Sequence, residues 1–252
     1  MPPPRKLCGK RVLTGFTPAE VLVSNPTCQQ TNAFTLAEVL ITLGIIGVVA
    51  ALTLPSLISK HQRKTVAVKA KKAYSELYQA VKMSEAKNGD MKDWNFSFSS
   101  NSIENTKQFV DTYIAPYYSS LKLCSTGNGN KKNTCGAVVS NGGANYTTAN
   151  GTGISFVISA NTPKVPTIVD TNGGKGPNII GTDYFYFSIT DGKVLPAGWY
   201  DGITREDILN GYNYSCKKTS VDKNNPDMYT LRHGCTALLL IDGWEFKDDY
   251  PY

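Results

Sequence analysis

The sequence predicts an α+β protein in which one long N-terminal α-helix, half membrane-spanning and half amphipathic, packs on an antiparallel β-sheet head. Three observations predict it. Residues 39–58 (VLITLGIIGVVAALTLPSLI) contain no charged side chain. An apolar stripe at spacings of three and four follows at Val66, Ala70, Ala73, Leu77, Val81 and Ser84. Beyond residue 150, β-branched and aromatic runs are punctuated by turn residues. A helix followed by successive strands is the element order of an α+β domain, because each apolar face needs another element to cover it.

The uncharged run comes first. As a helix it spans about 30 Å, the hydrocarbon thickness of a bilayer. A core helix of a soluble domain normally keeps a polar face, and this segment has none over five turns. The run therefore reads as membrane-inserted. Residues 1–33 precede it and hold Arg5, Lys6, Lys10 and Arg11 against Glu20. The whole chain has a formal charge of +6. Half of that excess sits in residues 1–33, so the remainder is nearly balanced. A near-balanced body lacks the concentrated basic face of a nucleic-acid binder, and no nucleic-acid partner is indicated. Six cations follow the run closely, at Lys60, Arg63, Lys64, Lys69, Lys71 and Lys72. The positive-inside rule alone would put that side in the cytoplasm.

The front edge of the run separates a cleaved secretory signal, a permanent anchor and a third possibility. It reads AFTLAE at residues 33–38. A secretory signal has a shorter apolar core and needs no acid there. Alone in lipid, the Glu38 carboxylate costs about 3 kcal/mol, and such residues normally have a partner. The stretch FTLAEVLITLGIIGVVAALTLP, residues 34–55, resembles the N-terminal segment of type IV pilins and of type II secretion pseudopilins. The resemblance implies that a prepilin peptidase cuts between Ala33 and Phe34 and methylates the new Phe34 amine. It implies that Glu38 is the assembly glutamate, its carboxylate meeting the amine of a neighbouring subunit. Gly44, Gly47 and Pro55 fall where the family softens or kinks its helix; proline removes an N–H and clashes with the carbonyl four residues back. One departure stands out: Ala33 occupies a position that is usually Gly in the family. The orientation this implies, with the body of the chain outside, conflicts with the positive-inside rule.

A second copy of the motif lies upstream. FTPAEVL at residues 16–22 matches FTLAEVL at 34–40 in all but one position, and Gly15 precedes it. Pro26 and polar neighbours follow it, so it opens no apolar helix. Cleavage after Gly15 is the alternative to cleavage after Ala33. The expected organisation is a leader over 1–33, a transmembrane or filament-core helix over 34–58, an amphipathic helix over 59–89, and a globular head over 90–252.

The amphipathic stripe, extended by Tyr74 and Tyr78, would pack that helix onto the head. Asn88 and Gly89 form a stop signal, since glycine accepts the left-handed conformation at a helix end. Residues 90–150 read as loop-rich, with a short helix over 106–118. Strands are expected over 153–160, 182–190, 193–195 and 236–242, with Asp191-Gly192 as a hairpin turn. Asn95, Asn145, Asn150 and Asn213 each start an Asn-x-Ser/Thr pattern, read as chance in a bacterial chain.

Cys124, Cys135, Cys216 and Cys235 follow the apolar run, whereas Cys8 and Cys28 precede it. Four cysteines in an exported part suit two disulfides, of which three pairings are possible. Their spacing lacks the close pairs of a zinc site. Asp170, Asn172, Asn178 and Asp183 supply oxygens around a Gly-rich stretch, a donor set that suits calcium. The same residues also serve turns without metal, and the terminal Glu of a full calcium loop is missing. Some pseudopilins hold calcium in a head loop, which the resemblance extends to these four residues. The two histidines, His61 and His233, complete no Ser/His/Asp set, and no phosphate loop or paired-carboxylate site stands out, so no enzyme is expected.

The expected role is that of a structural subunit of a pilus or secretion pseudopilus. Its partners would be copies of itself and related pilins, the prepilin peptidase, an inner-membrane assembly platform and the lipid bilayer. It would sit in the inner membrane with the head in the periplasm, then in an extracellular pilus or periplasmic pseudopilus. The alternatives are a minor tip subunit or adhesin, and an ordinary membrane-anchored exported protein.

Overall fold

The structure, a computed structural model, describes residues 34–96, 102–125, 143–158, 162–176, 178–211, 215–217 and 232–251. Residues 1–33, expected to be a leader, with Ala33 and the motif at 16–22, lie outside them, as does Cys135. The described chain is α+β, with a long N-terminal helix and a six-stranded antiparallel sheet.

Helix α1 runs unbroken from Leu36–Asn88. Chain contacts divide the protein into two units, Met1–Leu57 and Ile58–Tyr252. In the first unit, every described residue except Ala50 is exposed. Its 18-residue apolar window has a mean hydropathy of 2.3 and is 0% buried. This helix is long and apolar enough to cross a membrane.

In the second unit, α1 buries Ala67, Ala70, Ala73, Leu77, Ala80, Val81 and Ser84. The small alanines allow close approach, and the spacing is that of one helix face. All of these but Ser84 share a buried hydrophobic cluster with Phe185, Phe187 and Ile189. Tyr74 meets Phe187 at 5.9 Å between ring centres and Trp244 at 5.3 Å. The helix stops where the sequence says it should. Gly89 has φ of 83° and donates its N–H to the Glu85 carbonyl at 3.0 Å.

Helix α2 (Ile103–Tyr113) starts on Ser102, whose hydroxyl accepts the Asn105 N–H. The sheet is a simple meander, β1 (Lys122–Ser125), β2 (Ala144–Thr147), β3 (Gly153–Phe156), β4 (Lys164–Asp170), β5 (Tyr184–Thr190) and β6 (Lys193–Pro196). Cys124 is skipped in the β1–β2 register, where Leu123 pairs with Tyr146 and Ser125 with Asn145. That is a bulge, one residue left unpaired. Asp191 and Gly192 join β5 to β6, with φ of 48° and 66°. Positive φ at both central residues is the type I′ signature, so the hairpin forms as the dipeptide predicts.

Several expectations change. The helix expected over 106–118 is Ile103–Tyr113, and the stretch 90–150, read as loop-rich, also carries β1 and β2. Residues 236–242 are not a strand; Cys235–Ile241 is a helix, here α4, that buries five residues in a row. A run apolar on every face has no period to separate helix from strand, and its leucines and alanine favour helix. Strand β4 is absent from the expected strands. Pro166 argues against a strand, yet it falls one residue past the last β3 pairing, Phe156 with Thr167. A proline is tolerated where the ladder ends.

Helix α3 (Arg205–Asn210) opens with a capping box between Thr204 and Asp207. Arg205 then grips Asp242 at 2.8 Å and Asp249 at 2.6 Å, and Lys247 reaches Asp242 at 2.7 Å. Cys216 and Cys235 form a disulfide. Gly181 lies against it with φ of 77°; a Cβ there would come 2.5 Å from Cys235 Cβ and 2.7 Å from its Sγ. The cross-link cannot swing aside, so Gly181→Ala combines backbone strain with overpacking. We expect a loss of about 3 kcal/mol in a denaturant melt, while Gly202→Ala, which meets no neighbouring atom within 4 Å, loses only its backbone share.

Candidate functional site

The four oxygen-bearing residues singled out in the sequence come together at one end of the sheet. Asp170 closes β4, Asp183 precedes β5, and the turn between them carries Asn172 and Asn178. Asp183 organises the turn. Its Oδ2 accepts the Asn172 Nδ2–H at 2.9 Å and the Asn178 N–H at 2.7 Å, and its Oδ1 accepts the Ile179 N–H at 2.5 Å. Asn178 has φ of 58°, which asparagine tolerates better than other side chains. Asp170 Oδ1 accepts the Asn172 N–H at 3.1 Å.

Three oxygens of this set are buried without a hydrogen-bond donor: Asp170 Oδ2, Asn172 Oδ1 and Asn178 Oδ1. An orphaned buried acceptor costs about 1–3 kcal/mol, and more when charged. The Asn172 amide is oriented by its own bonds, since its Nδ2 donates to Asp183 and to the Gly176 carbonyl at 3.3 Å. Flipping it would set oxygen against oxygen.

Burial pushes the Asp170 carboxyl up to about 7, and the nearby Asp183 carboxylate adds to the rise. The N–H groups of Asn172 and Gly173 and the Lys69 ammonium oppose it. Burial raises Asp183 too, against the donors that hold it. Oxygen-only ligands, two of them acidic, with unsatisfied lone pairs are what a hard cation such as calcium takes. The residues present fit that ion. Among the described residues no cluster of three or more His, Cys, Asp or Glu exists, so amide oxygens would have to complete the shell.

Sequence reasoning missed one participant. Lys69 of α1 donates its ammonium to the Thr171 carbonyl at 2.9 Å. It sits on the helix as one cation among six, and nothing in its spacing marks it.

The N-terminal residues form a second group. Glu38 stands in the first turn of α1 and closes a capping box with Thr35. The Thr35 N–H and hydroxyl each donate to Glu38 Oε2 at 2.8 Å, and the Glu38 N–H returns to Thr35 Oγ1 at 3.2 Å. Thr35-x-x-Glu38 is a recognisable cap pattern, overlooked beside the more conspicuous acid. Pro55 lies inside α1. Cys216 and Cys235 pair with each other, and Cys124 is disulfide-bonded. The His233 ring lies tilted against Tyr186, 4.5 Å between ring centres.

Fold and site together define an α+β body behind one long helix with an exposed apolar half, bearing an acidic oxygen cluster beside the sheet. The chain belongs to a family of unknown function, DUF6613, which matches residues 56–252. The match begins just after Pro55, leaves the apolar segment and Glu38 outside it, and is to neither a pilin nor a pseudopilin family. No curated protein and no solved structure matches the chain.

Proposed function

We propose that this chain is a structural subunit of a pilus or of a type II secretion pseudopilus, assembled through its N-terminal helix after removal of residues 1–33. One observation carries the reading. A single helix begins two residues after the expected cut, is apolar and, Ala50 apart, exposed through residue 57, and carries in that stretch one acid, Glu38, in the first turn. In a filament those exposed faces would be covered by the same segment of neighbouring copies. The Phe34 amine of one copy would meet the Glu38 carboxylate of the next, an attraction strengthened by poor hydration and reduced by desolvation. The capping bonds use Glu38 Oε2, so the box and the intersubunit pair are compatible. Pro55 would kink the helix, and the stripe from Ala67 to Ser84 would lay its second half on the sheet. The head would project outward, and bound calcium would neutralise the Asp170 and Asp183 charges and fix the loop.

Intact-mass and N-terminal peptide mass spectrometry on protein from the native membrane tests this. A chain that begins at Phe34 and carries one added methyl group is expected. A chain that begins at Met1 or beyond Ala50 would overturn the reading in favour of an ordinary anchor or a secreted domain.

A further inference from the structure

The six cations after the apolar run oppose the orientation proposed above, and the structure gives two of them a setting. Within the second unit, a cleft of about 520 Å³ opens between α1 and the turn after β4. Its helix wall carries His61, Arg63 and Lys69; its loop wall carries Asn172, Thr182 and Asp183. Asp183, the acid in that lining, is already held by three N–H donors. Arg63 and Lys69 are half-buried in it, whereas Lys60 and Lys64 are exposed and do not line it. From residue 59 to residue 75 the helix has no acid.

Position matters as much as charge. Arg63 lies five residues beyond the end of the uncharged run, about 7 Å along a helix, within the headgroup layer of a bilayer. Guanidinium is a planar fork that matches phosphate oxygens, and lysine supplies a second point charge. We infer that this cleft holds the phosphate of an anionic phospholipid headgroup, with Arg63 and Lys69 as its cations. The inference rests on the membrane-spanning reading of residues 34–58. It places these two cations against an anionic headgroup on the outer face, the side on which the positive-inside rule does not favour them.

The test uses the full chain in nanodiscs of phosphatidylcholine alone or with phosphatidylglycerol added, followed by native mass spectrometry of lipid retained on the protein. Phosphatidylglycerol retained preferentially over phosphatidylcholine is expected. The double variant Arg63→Gln/Lys69→Gln should lower that retention by about tenfold or more. Arg63→Gln alone should lower it several-fold while sparing the bond from Lys69 to Thr171. Lys60→Gln/Lys64→Gln removes equal charge from outside the cleft and should leave retention unchanged. Equal losses in both double variants mean a diffuse basic surface and overturn the inference. So does binding of inorganic phosphate without lipid retention, which assigns the cleft to free phosphate, or binding of duplex DNA that needs Arg63 and Lys69. Failure of the chain to enter either disc overturns the membrane reading as well; entry without selective retention overturns this inference alone.

Discussion

Replacing Glu38 by either alanine or glutamine should abolish filaments while leaving the head folded. The two substitutions separate the roles the side chain can play. Glutamine keeps the reciprocal box, since a Thr-x-x-Gln sequence caps a helix as Thr-x-x-Glu does. It cannot pair with an ammonium as an ion. Loss of the cap alone costs about 1 kcal/mol at an exposed helix end, a matter of local fraying. Loss of the charge leaves each neighbour's amine without a counter-ion in a poorly hydrated core. At about 3 kcal/mol per subunit, association weakens on the order of a hundredfold at every step of growth. Sheared filament fractions and electron microscopy should then show no filaments for both variants. Thr35→Ala, which breaks the box and keeps the charge, should still assemble. If Glu38→Gln assembles normally, the acid is a helix cap and the pairing of Glu38 with a neighbour's amine fails; the filament reading itself fails if the unaltered chain forms none. Melting of the head should not move in any of the three, because Glu38 and Thr35 are exposed and belong to the other contact unit.

How far the sequence reached depended on whether a pattern had a period or a unique conformational demand. The uncharged run, the stripe at Val66, Ala70, Ala73, Leu77, Val81 and Ser84 and the Asn88-Gly89 stop marked α1 to its last residue, because helix faces repeat and glycine marks the left-handed end; Tyr78, expected in that stripe, is exposed instead. Asp191-Gly192 gave the hairpin for the same reason: few residues accept positive φ twice. The reading failed where the signal is set by tertiary context. Residues 235–239 are buried in a row within a helix, and burial alone does not choose between helix and strand. β1 and β2 lie in the Ser-, Asn- and Gly-rich stretch read as loop, where turn-forming residues around them mask strands of four residues. Of the acidic cluster, all four residues were legible as oxygen donors. That three of their oxygens are buried without donors, and that Lys69 reaches in from α1, is information about distance that spacing along the chain does not carry.

The metal-free protein should lose stability as pH rises, and calcium should reverse the trend. The Asp170 carboxyl has a folded pKa of about 7 against an ordinary value of 3.8. Between these values the folded protein holds a proton that the unfolded chain has released. Stability therefore falls as pH rises from about 4 to about 7, at up to 1.4 kcal/mol per unit, and flattens above. The whole penalty is on the order of 4 kcal/mol, and the raised Asp183 acts in the same direction. Calcium binds the ionised carboxylate, so its affinity should climb with pH over the same range. At a hundredfold excess over its dissociation constant it would return about 2.7 kcal/mol. Thermal melts in chelator should thus give a lower Tm at pH 8 than at pH 5, and millimolar calcium should lift the value at pH 8 far more. Asp170→Asn removes the charge but not the shape, and should abolish the calcium response together with most of the slope. A slope that persists in wild type without any calcium shift at millimolar concentration would mean that Asp170 is a buried acid kept protonated, and the cation assignment would fall. The two outcomes differ at pH 8, where an ionised carboxylate with an unpaired oxygen is least tolerable and a divalent ion gains most by pairing with it.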